Sequence, residues 1–243
     1  MGEYSALVTG GVRGIGLAIS NRLAACGVRV AAGYSRDTEA AKRFLALYES
    51  QSCTVHQGNI GDPADCERVV AEVIEQHGHL DILVNNAGIT VDKTVRKMGF
   101  EEWDRVLQVN VSGAFYLSHA VLQHMIDRGY GRIINISSVI GERGNIGQAN
   151  YAAAKSGLFG LTKSLALETA KKGITVNCVT PGFVSTEMVA AMPPQVLERV
   201  VAQIPVGRLA EPDEIARVVE FLADRASGYI TGEIYGINGG YYM

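Results

Sequence analysis

Tyr151 and Lys155 stand four residues apart at the start of a stretch with helical periodicity. That spacing puts the phenol and the ammonium on one helix face, one turn apart. A tyrosine phenol titrates at about 10, too high to exchange protons readily at neutral pH. A positive neighbour stabilises the phenolate and lowers that value, so the pair is expected to work as a proton-transfer device. Ser138 follows an apolar run in Asn135-Ile136-Ser137-Ser138. At the carboxyl end of a parallel strand it faces the crevice where ligands bind, and its hydroxyl could donate to a carbonyl oxygen beside Tyr151. Taken singly, Tyr-x-x-x-Lys reads better as a solvated helix face, and Ser137-Ser138 after a strand as a turn.

A second cluster lies near the start of the chain. Thr9-Gly10-Gly11-Val12-Arg13-Gly14-Ile15-Gly16 falls between a short apolar run and a helical pattern. Glycines allow a sharp turn and close approach of a pyrophosphate to the backbone, and the following helix N-terminus offers unpaired N–H groups. Three residues separate Gly10 from Gly14, so the spacing departs from the usual Gly-x-Gly-x-x-Gly fingerprint. The next strand ends in Ala31-Ala32-Gly33-Tyr34-Ser35-Arg36-Asp37. An enzyme that uses NAD wants an acid there for the ribose 2′-hydroxyl. Here Arg36, with Arg13, could clasp a 2′-phosphate through guanidinium geometry, which favours NADPH over NAD. Asp37 is read as the cap of the helix beginning at Thr38.

These groups need a scaffold that brings strand ends together. Strands are expected at 5–9, 28–32, 54–57, 80–85, 132–136, 174–179 and 234–237. Helices are expected at 15–26, 38–50, 101–128 and 151–172, with one from the Asp62-Pro63 cap to about His77. Alternation of apolar strands with helices predicts a doubly wound (Rossmann) α/β fold: a mostly parallel seven-stranded sheet with helices on both faces. No linker or repeat is visible, so residues 1–243 are expected to form a single dinucleotide-binding and catalytic domain. The least regular stretch, with Pro193, Pro194 and Pro205, predicts a mobile substrate lid near 183–208.

Composition narrows the class. The net charge of −3 gives no broad basic field for nucleic acid. Cys26, Cys53, Cys66 and Cys178 are scattered, which speaks against a zinc site or a disulfide framework, and no metal site is expected. No leader-like start and no apolar run long enough for a membrane helix is present, so a cytoplasmic protein without membrane contact is expected. A serine hydrolase is opposed by the lack of a Gly-x-Ser-x-Gly elbow, and His56, His77, His79, His119 and His124 show no partner in the sequence.

Taken together, Thr9-Gly10-x-x-x-Gly14-x-Gly16, Asn85-Asn86-Ala87-Gly88, Ser138 with Tyr151-x-x-x-Lys155, and Pro181-Gly182 resemble the short-chain dehydrogenase/reductase family over nearly the whole chain. Within it, Asn85–Thr90, Gly147–Ser156, Thr175–Phe183 and the closing Asn238-Gly239-Gly240 are similar to members that reduce 3-oxoacyl thioesters on acyl carrier protein or coenzyme A. The resemblance implies a tetrad. Tyr151 would be the general acid, Ser138 would polarise the ketone, Lys155 would orient the nicotinamide ribose, and Asn110 would hold a water linking Lys155 to solvent. It also implies cofactor contacts from Gly10, Arg13, Gly14, Ile15 and Gly16 in the phosphate loop. Asn59 and Ile60 would meet the adenine. Asn86, Ala87 and Gly88 would line the ribose, and Pro181, Gly182, Val184 and Thr186 the nicotinamide end. Many members carry Asp where Asn59 stands.

The expected reaction is NADPH-dependent reduction of a 3-oxoacyl thioester carried on acyl carrier protein, as in fatty-acid synthesis. Acetoacetyl-CoA, or another ketone or alcohol, is the alternative substrate. Arg128, Arg132, Lys171 and Lys172 could face outward near the active-site mouth and receive an acidic carrier or phosphates. They could equally answer their helix dipoles. The family implies a homotetramer, and Ala152, Ala153, Ala154 and Gly157 would give the Tyr151 helix a small-residue face.

Overall fold

The computed structural model describes residues 4–48, 53–190 and 192–243. Strands β1 (Ser5–Val8), β2 (Arg29–Tyr34), β3 (Thr54–Gln57), β4 (Ile82–Asn85), β5 (Gly131–Ile136), β6 (Ile174–Pro181) and β7 (Ile234–Ile237) form one sheet. Their order is β3-β2-β1-β4-β5-β6-β7. Every pairing is parallel, so the expected mostly parallel sheet is wholly parallel. The strand order reverses between β1 and β4, which opens a crevice at their carboxyl ends.

Ten α-helices accompany the sheet among the described residues: α1 (Gly14–Ala25), α2 (Thr38–Leu47), α3 (Pro63–His77), α4 (Phe100–Leu107), α5 (Gly113–Arg128), α6 (Val139–Arg143), α7 (Ala149–Thr169), α8 (Glu187–Ala190), α9 (Pro194–Val201) and α10 (Pro212–Ala223). Alternation along each strand divides the core. Ala6, Val8, Val30 and Val84 pack with Ile19, Leu23, Phe44, Ile215 and Val219 of α1, α2 and α10. Leu7, Leu83, Ile133 and Val176 pack with Val70, Val73, Leu117, Val121 and Leu165 of α3, α5 and α7. A strand buried on both faces must be apolar at every position, as these are.

Local signals set several boundaries. The Asp62 carboxylate accepts from Ala64 N at 2.9 Å, Pro63 occupies the first turn, and Gly78 closes α3 in the left-handed region. The second helix ends at Leu47, short of the expected Ser50, and residues 49–52 lie outside the described part. The single helix expected over 101–128 is instead two α-helices joined by one widened π-helical turn, Gln108–Ser112. Residues 183–208 are not a plain loop, since they carry α8 and α9. Their root is pinned by Ala210 N to Phe183 O and Ser185 N to Ala210 O.

Beneath the sheet's β3 side runs a chain of hydrogen bonds. Ser5 Oγ meets His77 Nδ1 at 2.8 Å, His77 Nε2 meets Thr54 Oγ1 at 3.0 Å, Thr54 Oγ1 meets His56 Nε2 at 2.8 Å, and His56 Nδ1 meets Glu72 Oε2 at 3.1 Å. Glu72 then receives Arg68 at 2.7 Å. The carboxylate can only accept, so His56 Nδ1 must donate to it. An imidazole that carries its one hydrogen on Nδ1 accepts at Nε2, and every later link then acquires one direction. Thr54 donates to His56, His77 donates to Thr54, and Ser5 donates to His77. Burial holds the His77 imidazole down to about 4, which keeps it neutral. His79 pairs with Asp81 at 3.0 Å, and His124 Nε2 accepts from Leu80 N at 3.2 Å. Four of the five histidines therefore have hydrogen-bond or ionic partners, contrary to the sequence reading, and several of these are distant in sequence, as with Ser5 and His77.

Of the two readings of Arg128, Arg132, Lys171 and Lys172, a cationic patch at the active-site mouth has no support within one chain, since none of them lines the cleft. Arg132 is buried at the amino end of β5. Its guanidinium stacks 4.4 Å from the Tyr130 ring and donates to the carbonyls of Gly131, Gly173, Asp224 and Arg225. Arg128 reaches the buried Asp81 at 3.3 Å. Lys171 and Lys172 are exposed, but they follow the far end of α7. A helix of 21 residues is roughly 30 Å long at about 1.5 Å per residue, which separates them from Tyr151.

Candidate active site

A cleft of about 1680 Å³ runs along the carboxyl ends of the strands. It is lined by Gly10, Arg13–Gly16, Arg36, Asn59, Ile60, Asn86–Gly88, Ser138, Tyr151, Lys155, Pro181, Gly182, Val184 and Thr186. All the expected site residues except Asn110 therefore open on one cavity. Asn110 is buried behind it, in the widened turn between α4 and α5.

Ser138 caps α6 in an extended conformation, its Oγ accepting from Ile140 N at 3.1 Å. Tyr151 and Lys155 lie one turn apart on α7, with the Lys155 Nζ 5.6 Å from the phenol ring centroid. Ser137 Oγ donates to Lys155 O at 2.8 Å, which ties α7 to the end of β5. A Cβ on Gly141 would come within 2.9 Å of the Lys155 backbone, so α6 can press flat against α7 only at a glycine. Asn150, fully buried, fixes the entry to α7. Its Nδ2 donates to Val91 O at 3.1 Å and its Oδ1 accepts from Tyr151 N at 2.8 Å. The reading from sequence missed Asn150, Ser137 and Gly141. Only Asn150, a polar residue directly before the helical Tyr151, carried a local signal.

Burial pushes the Tyr151 phenol up to about 12, with hydrogen bonding from Ser138 acting downward and the Asp92 carboxylate upward. Desolvation outweighs the hydrogen bond from Ser138. Burial also pulls Lys155 down to about 8, opposed by Cys178. Lys155 Nζ donates to Ile136 O at 2.7 Å, which serves one of three ammonium hydrogens.

Asn110 clasps the segment that follows β4. Its Oδ1 accepts from Ile89 N and its Nδ2 donates to Ile89 O, both at 2.8 Å. A Cβ on Gly88 would sit 3.2 Å from Asn110 Oδ1 and 3.5 Å from Lys155 Nζ, so the three groups converge. Upstream, Thr9 Oγ1 accepts from Asn86 N and Ala87 N at 2.9 Å each, and Asn86 Nδ2 donates to Thr9 O at 2.8 Å. The Asn86 side chain thus braces the glycine loop.

The loop fits a pyrophosphate. Gly14 has φ of 53°, and a Cβ there would meet only Thr186 Cγ2, at 3.8 Å across the opening. Helix α1 has no side-chain cap and no acid in its first turn, so its N-terminal amides face the cleft unopposed. Asp37 is spent on Ala40 N at 2.9 Å, as expected of a cap. Arg13 and Arg36 are exposed and make no ion pair among the described residues. The Asn59 Oδ1 accepts from Gly61 N at 3.1 Å, which leaves chiefly its NH2 group for an adenine.

The small-residue face of α7 is narrower than expected. Ala154 is fully buried in the core, whereas Ala153 and Gly157 are exposed. Further along, Leu167 is 86% exposed.

Comparison with known proteins agrees with this geometry. A family model described as enoyl-(acyl carrier protein) reductase matches residues 10–242. The chain is 50% identical over 239 residues to an acetoacetyl-CoA reductase of Shinella zoogloeoides, with 98% of each chain covered. It is 47% identical over 238 residues to the 3-oxoacyl-(acyl-carrier-protein) reductase FabG of Escherichia coli strain K12, covering 98% of this chain and 97% of that one. An acetoacetyl-CoA reductase of Cupriavidus necator is 43% identical over 245 residues, with both chains fully covered.

Proposed function

The chain belongs to the short-chain dehydrogenase/reductase family of oxidoreductases that use a nicotinamide cofactor, and we propose that it reduces a 3-oxoacyl thioester to the 3-hydroxyacyl thioester with NADPH. The observation that carries the reading is the convergence of Ser138, Tyr151 and Lys155 on one cleft with a glycine loop at a helix N-terminus. When bound, NADPH supplies a hydride to the 3-keto carbon. Gly10, Gly14, Ile15 and Gly16 hold its pyrophosphate, Arg13 and Arg36 its 2′-phosphate, and Asn59 and Ile60 its adenine. Asn86, Ala87, Gly88 and Lys155 hold the ribose end, and Pro181, Gly182, Val184 and Thr186 the nicotinamide end.

Tyr151 Oη gives its proton to the substrate oxygen as the negative charge develops there, and Ser138 donates a hydrogen bond to the same oxygen. A phenol raised to about 12 keeps its proton at neutral pH, the state that reduction requires. Lys155, at about 8, stands near the working pH and can exchange protons with solvent through water held beside Asn110. The proposed carrier is acyl carrier protein. The 50% identity to an acetoacetyl-CoA reductase supports coenzyme A as the second reading. Residues 1–243 act as one domain, with 183–208 as a mobile lid. No helix among the described residues is long and apolar enough to cross a membrane, in keeping with a cytoplasmic enzyme. The exposed Ala153, Gly157 and Leu167 on α7 support a homotetramer, to be checked by light scattering.

Steady-state reduction of acetoacetyl-CoA and of an acetoacetyl-carrier-protein thioester, each with NADPH and NADH, tests this reading. Turnover is expected with NADPH and 3-oxo thioesters, and its absence with both carriers sinks the proposal. Arg36→Ala should raise the KM for NADPH by roughly tenfold and leave that for NADH unchanged, since a charged hydrogen bond is worth about 1.5–3 kcal/mol.

A further inference from the structure

Tyr241 lies in the last turns of the chain, yet it touches Phe183 of the active-site wall and two further elements. Its ring meets Phe183 edge-on, with centroids 5.3 Å apart and planes at 84°. Phe183 lines the cleft directly after Pro181 and Gly182, at the carboxyl end of β6, beside the β5 end that carries Ser138. The Arg143 guanidinium sits 4.3 Å from the Tyr241 ring centroid. Arg143 is the last residue of α6, the helix that Ser138 caps. The Tyr241 hydroxyl donates to Gln203 Oε1 at 3.3 Å, just beyond α9.

The tail that presents Tyr241 is itself held. Tyr241 N donates to Asn238 O at 3.1 Å, and Val206 N donates to Gly239 O at 3.1 Å. A Cβ on Gly239 would lie 2.9 Å from Ile204, and one on Gly240 would lie 3.0 Å from Pro205, so the tail lies flat on the segment after α9. Gly182 N donates to Ile237 O at 2.9 Å, which fixes the other side of the same wall.

We propose that Tyr241 is a positioning residue that sets the depth of the acyl end of the cleft by holding Phe183 in place as its wall. The inference rests on the reading that the chain takes 3-oxoacyl thioesters, and it adds a preference for short acyl groups. Phe183 touches the substrate side, whereas Tyr241 acts through it. Arg143 and Gln203 fix the Tyr241 ring from two further elements, so the wall depends on the C-terminal tail.

The test compares reduction of four-carbon and eight-carbon 3-oxoacyl thioesters by the intact enzyme, Tyr241→Ala and Tyr241→Phe. Tyr241→Ala should raise KM for the four-carbon substrate about tenfold with kcat little changed, while the eight-carbon substrate is used as well or better. A change of that size is what one or two methylenes of pocket contact are worth. Tyr241→Phe keeps both ring contacts and should retain the original preference. Amide exchange on the unliganded chain gives a readout independent of turnover: Gly182 and Val206 should exchange faster in Tyr241→Ala and at the original rate in Tyr241→Phe. An unchanged chain-length ratio in Tyr241→Ala overturns the inference and leaves the reading intact. An unmodified enzyme that reduces neither thioester overturns the reading, and the inference with it.

Discussion

Two buried polar centres of this molecule follow opposite rules. In the chain Ser5–His77–Thr54–His56–Glu72, each internal residue both gives and receives a hydrogen bond, and the polarity closes on a carboxylate. At Lys155, one backbone carbonyl serves an ammonium that carries three hydrogens, and the half-buried Tyr151 beside it has its phenol pushed up to about 12. The first centre is complete without any ligand. The second opens on the cleft, where the proposed cofactor and substrate would meet it. Groups paired within the protein thus hold the fold, whereas groups that do chemistry face the cavity.

The sharpest break in this contrast is Tyr151→Phe. It should lower kcat by about 10²–10⁴, the usual worth of general acid assistance, while melting temperature and NADPH binding stay near those of the unaltered enzyme. Near-normal turnover would remove Tyr151 from the mechanism. Thr54→Val should do the reverse. It leaves two imidazoles without their shared hydroxyl and should cost about 1–3 kcal/mol in denaturant unfolding, with kcat unchanged in the surviving folded fraction.

The two centres should also part along the pH axis. His77 has a folded value of about 4, below its free value of 6.5. Between these the unfolded chain binds the extra proton, so stability should rise with pH across that window, by at most on the order of 3 kcal/mol. Lys155 has a folded value of about 8, below 10.5, so its contribution should rise with pH between those limits by the same argument. His77→Leu should abolish the first rise and Lys155→Met the second, as read from unfolding midpoints. The smallest effect is expected of Glu72→Gln. The amide still accepts from His56 at this half-exposed rim, so the loss should stay below about 1 kcal/mol.

Much of this was legible in the sequence, and what was not has physical reasons. The strands 54–57 and 234–237 and helix 63–77 stand where pattern and capping put them. Tyr151, Lys155 and Ser138 were legible because helical spacing and a strand end are local facts. The histidine partners were not, since Ser5 and His77 are 72 residues apart and meet only through sheet order. Arg132 reads as an outward charge, but burial depends on the carbonyls that gather around it from residues 41 to 93 positions away. Helix α10 was overlooked although Glu211 and Glu214 form a reciprocal cap around Pro212. Its apolar stripe is short and follows an irregular segment.

The widened turn at 108–112 fixes the rotational phase of two helices at once. Each helical residue advances the backbone by about 100°. Winding the same residues regularly, with none lost, would swing Leu117, Val121 and Met125 away from the sheet they now cover. Keeping those three inward would instead turn Val106 out of its buried place on α4. The widened turn therefore takes up one extra residue while keeping the buried faces of both helices inward.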